Sequence, residues 1–250
     1  MDRKELVEAT HRVAESDVAI WLAGHAALLS GPMDSLAFER LCTDTLNELI
    51  GHRAALAVIG RASSKECVVL QSWNFGCPVK LFERMTASGP MTGQPTLARW
   101  LDLDGPLFIE PDPTDVSAIG QALASQGLQG RALHGILDGG GMGSVVVFFG
   151  LRPDRQTQVT RALRLIAPYL HATLLRLHRE DCMRRARALT HREQELLQCV
   201  VDGLTNPDIA KRWGRSRATV RNTLSGLMAK LNVSTRTELA VLAIQTGLLG

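Results

Sequence analysis

The sequence predicts an α+β protein in two parts: an N-terminal unit built on an antiparallel sheet flanked by helices, then an all-α unit of four short helices. Three observations lead there. Strand-sized apolar runs alternate with helical periodicity through the first 154 residues, whereas from Leu189 onward only helical segments occur. The length of 250 residues suits two domains. Charge also divides: residues 181–250 carry 11 Lys/Arg against 6 Asp/Glu, and residues 1–180 carry 17 against 19, within a net charge of +3. The basic excess lies on the helical part, as attraction to a polyanion requires.

The elements follow in order. Leu6 to Leu29 reads as a helix, with Val13, Ile20, Leu22 and Leu28 among its apolar positions, broken by Gly31-Pro32. A second helix runs from about Asp34 to Ile50. Ala54–Ile59 and Cys67–Trp73 form two strands joined by a polar turn at Arg61–Lys65. Residues 78–103 hold one or two helices around a loop at Ser88–Pro95. Leu107–Ile109 is a short strand, Val116–Ser125 a helix, and Ala132–Leu137 with Val145–Gly150 a hairpin. This is the general plan of GAF and PAS sensor domains. Sensor domains of this plan bury a small ligand against the sheet, and Trp73, Trp100 and His134 are the candidate pocket residues beside Trp21.

Residues 155–187 form a connecting helix and basic linker. Val159, Leu163, Ile166, Leu170, Leu174 and Leu177 repeat in a near-heptad seam. The seam suits a dimer spine through Leu163, Leu170 and Leu177, or a helix covering the sheet. Pro168 should kink or split it. Arg184, Arg185 and Arg187 make the linker basic.

Each helix of residues 188–250 has a start signal. Thr190 with Glu193, Thr205 with Asp208 and Thr235 with Glu238 have capping-box spacing, Pro207 stands in a first turn, and Ser216 can cap the third helix. Gly203 and Gly214 supply left-handed stops. Along the third helix Val220, Leu224, Leu227 and Leu231 share one face, to be buried against Leu196, Leu197, Val200, Ile209, Ala210 and Trp213. The opposite face carries Arg217, Arg221, Asn222 and Ser225. Arginine bonds guanine, and asparagine adenine, bidentately in the major groove. Thr219, Ser216, Arg215, Lys211, Arg212 and Lys230 flank this face and can hold phosphates. Double-stranded DNA is therefore the expected partner.

The segment from Ala188 to Leu248 resembles the LuxR/NarL (GerE-type) DNA-binding domain. The resemblance rests on LTHRE at Leu189–Glu193, GLTNPDIA at Gly203–Ala210, ATVRN at Ala218–Asn222 and KLNVSTRTE at Lys230–Glu238. It implies that Val220–Ser225 lies in the major groove with Arg221, Asn222 and Ser225 on base-reaching positions. It also implies that the fourth helix dimerises through Leu239, Leu242 and Ala243, with Leu248 extending the strip. Three residues depart from the pattern: Thr223 stands where His is frequent, Arg215 where an aliphatic residue usually packs, and Trp213 where Leu is usual. Shorter pieces resemble EpsA-type exopolysaccharide regulators: IWLAGHAALL (Ile20–Leu29), LFERMTASG (Leu81–Gly89), RALHGILDGGG (Arg131–Gly141), VVVFFGL (Val145–Leu151) and LIAPYLHATLLRL (Leu165–Leu177). Together these imply a dimeric transcriptional regulator of exopolysaccharide or related genes, with an N-terminal half that answers to a small-molecule or protein effector. A partner-binding anti-activator, its helix-turn-helix module turned to protein contact, is the alternative.

Other classes find little support. The Gly139–Gly143 run lacks the Gly-Lys-Ser/Thr of a phosphate loop and reads as a turn. A phosphoacceptor receiver needs an acidic pair after its first strand, where this chain has Arg61 and Lys65. The Trp-x-x-x-Tyr and Asp-Pro elements of acyl-homoserine lactone receptors are missing around Trp73, Phe75 and Phe82, and Tyr169 is the only tyrosine. Cys42, Cys67, Cys77, Cys182 and Cys199 show no metal-ligand spacing, so no metal or cofactor is expected. With no nucleophile–base pair, neither is an enzyme. The first twelve residues alternate charged and apolar, unlike a secretory signal, and no apolar run is long enough to span a membrane; the expected location is the cytoplasm.

Overall fold

The computed structural model describes residues 3–246 apart from 104, 140 and 234, with side chains from residue 17 to residue 244. Its chain divides into two compact units, Met1–Leu175 and Arg176–Gly250.

The first unit is organised by a six-stranded antiparallel sheet. In chain order the strands are β1 (Ala54–Ala62), β2 (Glu66–Phe75), β3 (Gly89–Pro90), β4 (Leu107–Ile109), β5 (Arg131–Leu137) and β6 (Met142–Phe149), and they stand in the order β3-β2-β1-β6-β5-β4. Between and around them lie helices α1 (Arg3–Ser30), α2 (Ser35–Arg40), α3 (Leu46–Ile50), α4 (Val79–Met85), α5 (Pro95–Leu101) and α6 (Ala118–Ser125). The α+β plan read from the sequence is the one observed. Register sorts the side chains. Leu56 pairs with Val147, and Val147 with Leu133, so Ala54, Leu56, Leu133, Val147 and Phe149 share one face. That face is buried with Leu81 of α4, Trp100 of α5 and Leu123 of α6. The other face carries Ala55, Ala57, Ile59, Phe148 and Ser144. Phe38 of α2 packs on it, edge to face against Phe75 at 5.6 Å and Trp73 at 6.5 Å. The helix α7 (Gln156–Arg187) reaches it too, through a 2.8 Å hydrogen bond between His171 Nδ1 and Ser144 Oγ.

Two features of α7 differ from expectation. The helix runs through Pro168 without being split. Pro168 removes only its own bond to the Arg164 carbonyl, and it lies on the exposed side. Arg184–Arg187, expected as a linker, is the last turn of the helix, and Asp181 pairs with Arg184 and, at 2.8 Å, with Arg185. Leu163, Leu170 and Leu177 are all at most 4% exposed within the single chain. Their repeat serves packing inside the chain and leaves nothing of these side chains for a second copy.

The candidate pocket residues are divided between the two faces of the sheet. Trp100 is buried in the core of the first sheet face, and its Nε1 donates to His134 Nδ1 at 3.4 Å. Trp73 pairs with Ala57, which puts it on the other face against Phe38. None of the three lines the cleft of about 80 Å³ that opens over the first face beside Leu56, Val58, Leu97, Leu133, Val145 and Val147.

Between α2 and α3 the helix widens into a π-turn, Leu41–Thr45. His52, just before β1, fills the space nearby: its Nε2–H donates to the Cys42 carbonyl at 2.7 Å, and its ring stands edge-on to Phe148 at 4.8 Å. Burial pushes its pKa down to about 4, against the raising effect of that hydrogen bond. In the unfolded chain the imidazole titrates near its ordinary value of about 6.5. Unfolding therefore takes up a proton between about pH 6.5 and pH 4, and stability falls as pH drops through that window. The loss attributable to His52 should reach at most about 3 kcal/mol. Urea unfolding at pH 7.5 and 4.5, followed by tryptophan fluorescence, should show a smaller pH difference for His52→Gln than for wild type. His171 and His178, also lowered by burial, are common to both proteins.

Candidate nucleic-acid interface

Four helices make up the second unit beyond α7: α8 (His191–Val201), α9 (Asn206–Trp213), α10 (Arg217–Leu231) and α11 (Arg236–Thr246). None is long enough to be stable alone in water, so their ends and their shared core decide whether they form. The starts are as the spacing predicts. Thr190 with Glu193 and Thr205 with Asp208 form complete capping boxes, and Ser216 Oγ accepts the Thr219 N–H at 3.1 Å. Thr235 and Glu238 bond reciprocally, at 3.1 and 3.3 Å. The stops share one device. Gly203, Gly214 and Asn232 are left-handed, and the next residue's N–H reaches back five positions, as from Arg215 to the Ala210 carbonyl at 3.0 Å. Only Gly214, Arg215 and Ser216 separate α9 from α10, the tight connection of a helix-turn-helix.

One core holds the four helices. Val220, Leu224, Leu227 and Leu231 of α10 are buried with Leu196, Leu197 and Val200 of α8, Ile209 and Ala210 of α9, and Leu239 and Ala243 of α11. With that stripe inside, Arg217, Thr219, Arg221, Asn222 and Ser225 stand exposed on the opposite side. Lys211, Arg212, Arg215 and Ser216 are exposed before them, across the turn. From Lys211 to Thr237 the sequence has no acidic residue. Among the described residues Arg212, Arg215, Arg217 and Arg221 form no ion pair with an acidic side chain, while Lys211 helps to hold the Asp208 carboxyl below its ordinary value after the Thr205 hydrogen bonds. Ser216 and Thr219 satisfy one another, Oγ to Oγ1 at 2.9 Å, so their hydroxyls serve the helix start first.

Lys230, expected to be free for a phosphate, donates to the Ala188 carbonyl at 2.8 Å and to Glu193 Oε2 at 2.9 Å. That ammonium, with the Thr190 N–H and hydroxyl, holds the Glu193 carboxyl below the usual carboxylate range. Leu239 and Ala243, expected at a dimer contact, are at most 1% exposed in the unit's own core, and Leu242 packs partly against it. The apolar side chains that α11 does expose are Val241 and Ile244; Leu248 lies outside the described residues. Trp213 packs half-buried against the core with the Arg192 guanidinium 3.7 Å above its ring, while Arg215 points to solvent. Sequence spacing gave no sign of that stack. Nor did it show Arg236, which bonds Asn206 Oδ1 at 3.1 Å and the Leu204 carbonyl, tying the start of α11 to the start of α9.

Two substitutions test this packing. Gly226 is exposed in the middle of α10, and a Cβ there meets nothing within 4 Å. Gly226→Ala should raise stability by about 0.5–1 kcal/mol in urea unfolding. Lys230→Met should lower it by up to about 1 kcal/mol, as expected for a partly exposed ion pair with an added carbonyl contact.

The family match falls on these four helices. Residues 187–243 match the model of the bacterial regulatory proteins, luxR family (GerE). A transcriptional regulatory protein of Bacillus subtilis, YvfU, is 43% identical over 67 residues, 27% of this chain and 34% of its own length. The DNA-binding transcriptional activator DevR/DosR of Mycobacterium tuberculosis is 44% identical over 57 residues, 23% of this chain and 26% of its own. This chain thus spans between about a quarter and two fifths of the length of the curated relatives it matches. Among solved structures, the N-acylhomoserine lactone dependent factor CepR2 of Burkholderia cenocepacia is similar at 18% identity and a TM-score of 0.49, over 64% of this chain and 97% of that one. The phycoerythrobilin-bound GAF domain of a cyanobacterial phytochrome is similar at 13% identity and a TM-score of 0.37, over 70% and 97%. Over residues 187–243 the second unit of this chain is thus similar to the luxR family of bacterial regulatory proteins.

Proposed function

We propose that the protein is a sequence-specific DNA-binding transcriptional regulator that acts as a homodimer in the cytoplasm. The observation that carries this reading is the outward face of α10. Arg217, Arg221, Asn222 and Ser225 are exposed behind a three-residue turn, on a helix whose other side is locked into the core. A helix presented this way fits the major groove, about 12 Å wide. Arg221 and Asn222 are the base readers, with Ser225 beside them. Lys211, Arg212, Arg215 and Arg217 hold phosphates, and the Ser216-capped start of α10 turns its partial positive charge the same way. Lys230 drops out of the set, because its charge is committed to Glu193.

A single reading helix covers only a few base pairs, so specificity calls for two, in successive major grooves about 34 Å apart. The N-terminal unit then adjusts activity in response to an effector. Its apolar cleft beside Leu56, Val58 and Val147 is the candidate place for a small apolar group. The EpsA-like segments support genes of exopolysaccharide synthesis as the target class. Among the described residues no helix is long and apolar enough to cross a membrane.

Fluorescence anisotropy with a selected operator and with scrambled DNA separates the roles. Arg221→Ala should cost about 1–3 kcal/mol on the operator and little on scrambled DNA. Lys211→Ala and Arg212→Ala should weaken both equally and reduce the dependence of log Kd on log salt by about one each. Equal weakening on both DNAs by Arg221→Ala would make it a phosphate contact. Absence of binding to any DNA at modest salt would favour a protein partner for this face.

A further inference from the structure

A glycine stays inside a helix for a left-handed backbone, a crowding neighbour or a bend, and Gly226 of α10 has none of these reasons within the chain. It is absent from the glycines with positive φ. A Cβ there meets nothing within 4 Å. The helix runs through it without interruption from Arg217 to Leu231. Glycine at an exposed helix interior lowers stability relative to alanine, so the reason for it lies outside the chain. Its neighbours indicate what is there. With Val220, Leu224, Leu227 and Leu231 buried, the crest furthest from the core is Ala218, Asn222, Ser225, Gly226 and Ala229, at steps of three and four. All five are exposed, and no side chain among them is longer than that of asparagine. Thr219 and Thr223, on one flank, spend their hydroxyls on the helix itself: on Ser216 Oγ at 2.9 Å and on the Thr219 carbonyl at 2.9 Å. Among the described residues the side chains of Asn222 and Ser225 make no such bond. On the other flank stand the exposed Arg217 and Arg221. A short, polar, uncharged crest beside exposed cations matches the floor and the rim of a polyanionic groove.

We propose that the backbone of α10 at Gly226 touches the floor of the major groove, so that Gly226 sets the depth at which the helix reads bases. The proposal rests on the DNA-binding reading given above and deepens it. A helix with its side chains is about 10–12 Å across and the groove about 12 Å wide and 8.5 Å deep, so long side chains on the crest would hold the helix off the floor. Asparagine and serine are short. Asn222 and Ser225 meet base edges only when the backbone comes close, whereas the longer Arg221 reaches from further away. Gly226 lies one turn, about 6 Å, beyond Asn222 along the axis. A methyl group added there takes the space of a base edge and lifts the helix. Asn222 and Ser225 then lose their bases first, while the contacts of Lys211, Arg212 and Arg215 to phosphate persist. Gly226 is therefore a positioning residue, acting through Asn222 and Ser225.

Fluorescence anisotropy of the full chain with its selected operator and with scrambled DNA tests this. Gly226→Ala, the more stable protein in urea, should bind the operator roughly 5- to 100-fold more weakly, as expected for a group forced into a packed contact, and scrambled DNA within about twofold of wild type. Asn222→Ala supplies a second readout. It should weaken operator binding by about tenfold in wild type, and by less than about twofold in the Gly226→Ala background, where Asn222 has already lost its base. Operator binding by Gly226→Ala as tight as that of wild type would overturn the seating and leave the DNA-binding reading standing, as would a full Asn222→Ala loss in the Gly226→Ala background. Equal weakening on both DNAs would put the contact on the phosphate backbone and overturn it as well. A wild type that does not distinguish operator from scrambled DNA would overturn the DNA-binding reading itself.

Discussion

Burial of Val220, Leu224, Leu227 and Leu231 sets the rotation of α10 about its own axis, and everything the second unit can do follows from that rotation. Successive residues on a helix turn by about 100°. With those four side chains inside, Arg221, Asn222 and Ser225 point out; a slip of one position would turn Arg221 into the core. Each buried aliphatic side chain contributes roughly 1.5–3 kcal/mol, while a slip would also bury a guanidinium without a partner. The apolar seam is therefore what aims the polar face.

Short helices need their ends satisfied before such a seam can act. Reciprocal side-chain bonds start α8, α9 and α11, a serine cap starts α10, and left-handed residues at Gly203, Gly214 and Asn232 stop three helices and turn the chain into the next. Charged side chains complete the frame. Lys230 ties the end of α10 to the start of α8 through Glu193 and Ala188, and Arg236 ties α11 to α9. These two cations hold the frame together. Among the described residues Arg212, Arg215, Arg217 and Arg221 form no ion pair with an acidic side chain, and this difference in pairing divides framework charges from those that face outward.

How much of this was legible in the sequence depended on the range of each interaction. Caps join residues three apart, so Thr190 with Glu193 and Ser216 with Thr219 could be read directly. The buried side of α10 could be read too, because one amphipathic helix shows its core side by periodicity alone. What covers an apolar side could not. Leu163, Leu170 and Leu177, and Leu239 with Ala243, have spacings that serve a second copy or the chain's own core equally well, and burial decides for the core. In the sheet, Trp73 and Leu56 lie on opposite faces because side chains alternate, a fact that depends on register and not on residue type. The commitment of Lys230 to Glu193, 37 residues away, leaves no local signal at all.

The central claim is that the outward face of α10 reads base sequence. Selection of bound genomic fragments by the purified full-length protein, across a series of salt concentrations, tests it most directly. The account predicts one enriched, roughly palindromic motif that persists as salt rises while background binding falls. Binding that vanishes with salt and yields no motif would contradict it, leaving the exposed arginines as a nonspecific polyanion patch.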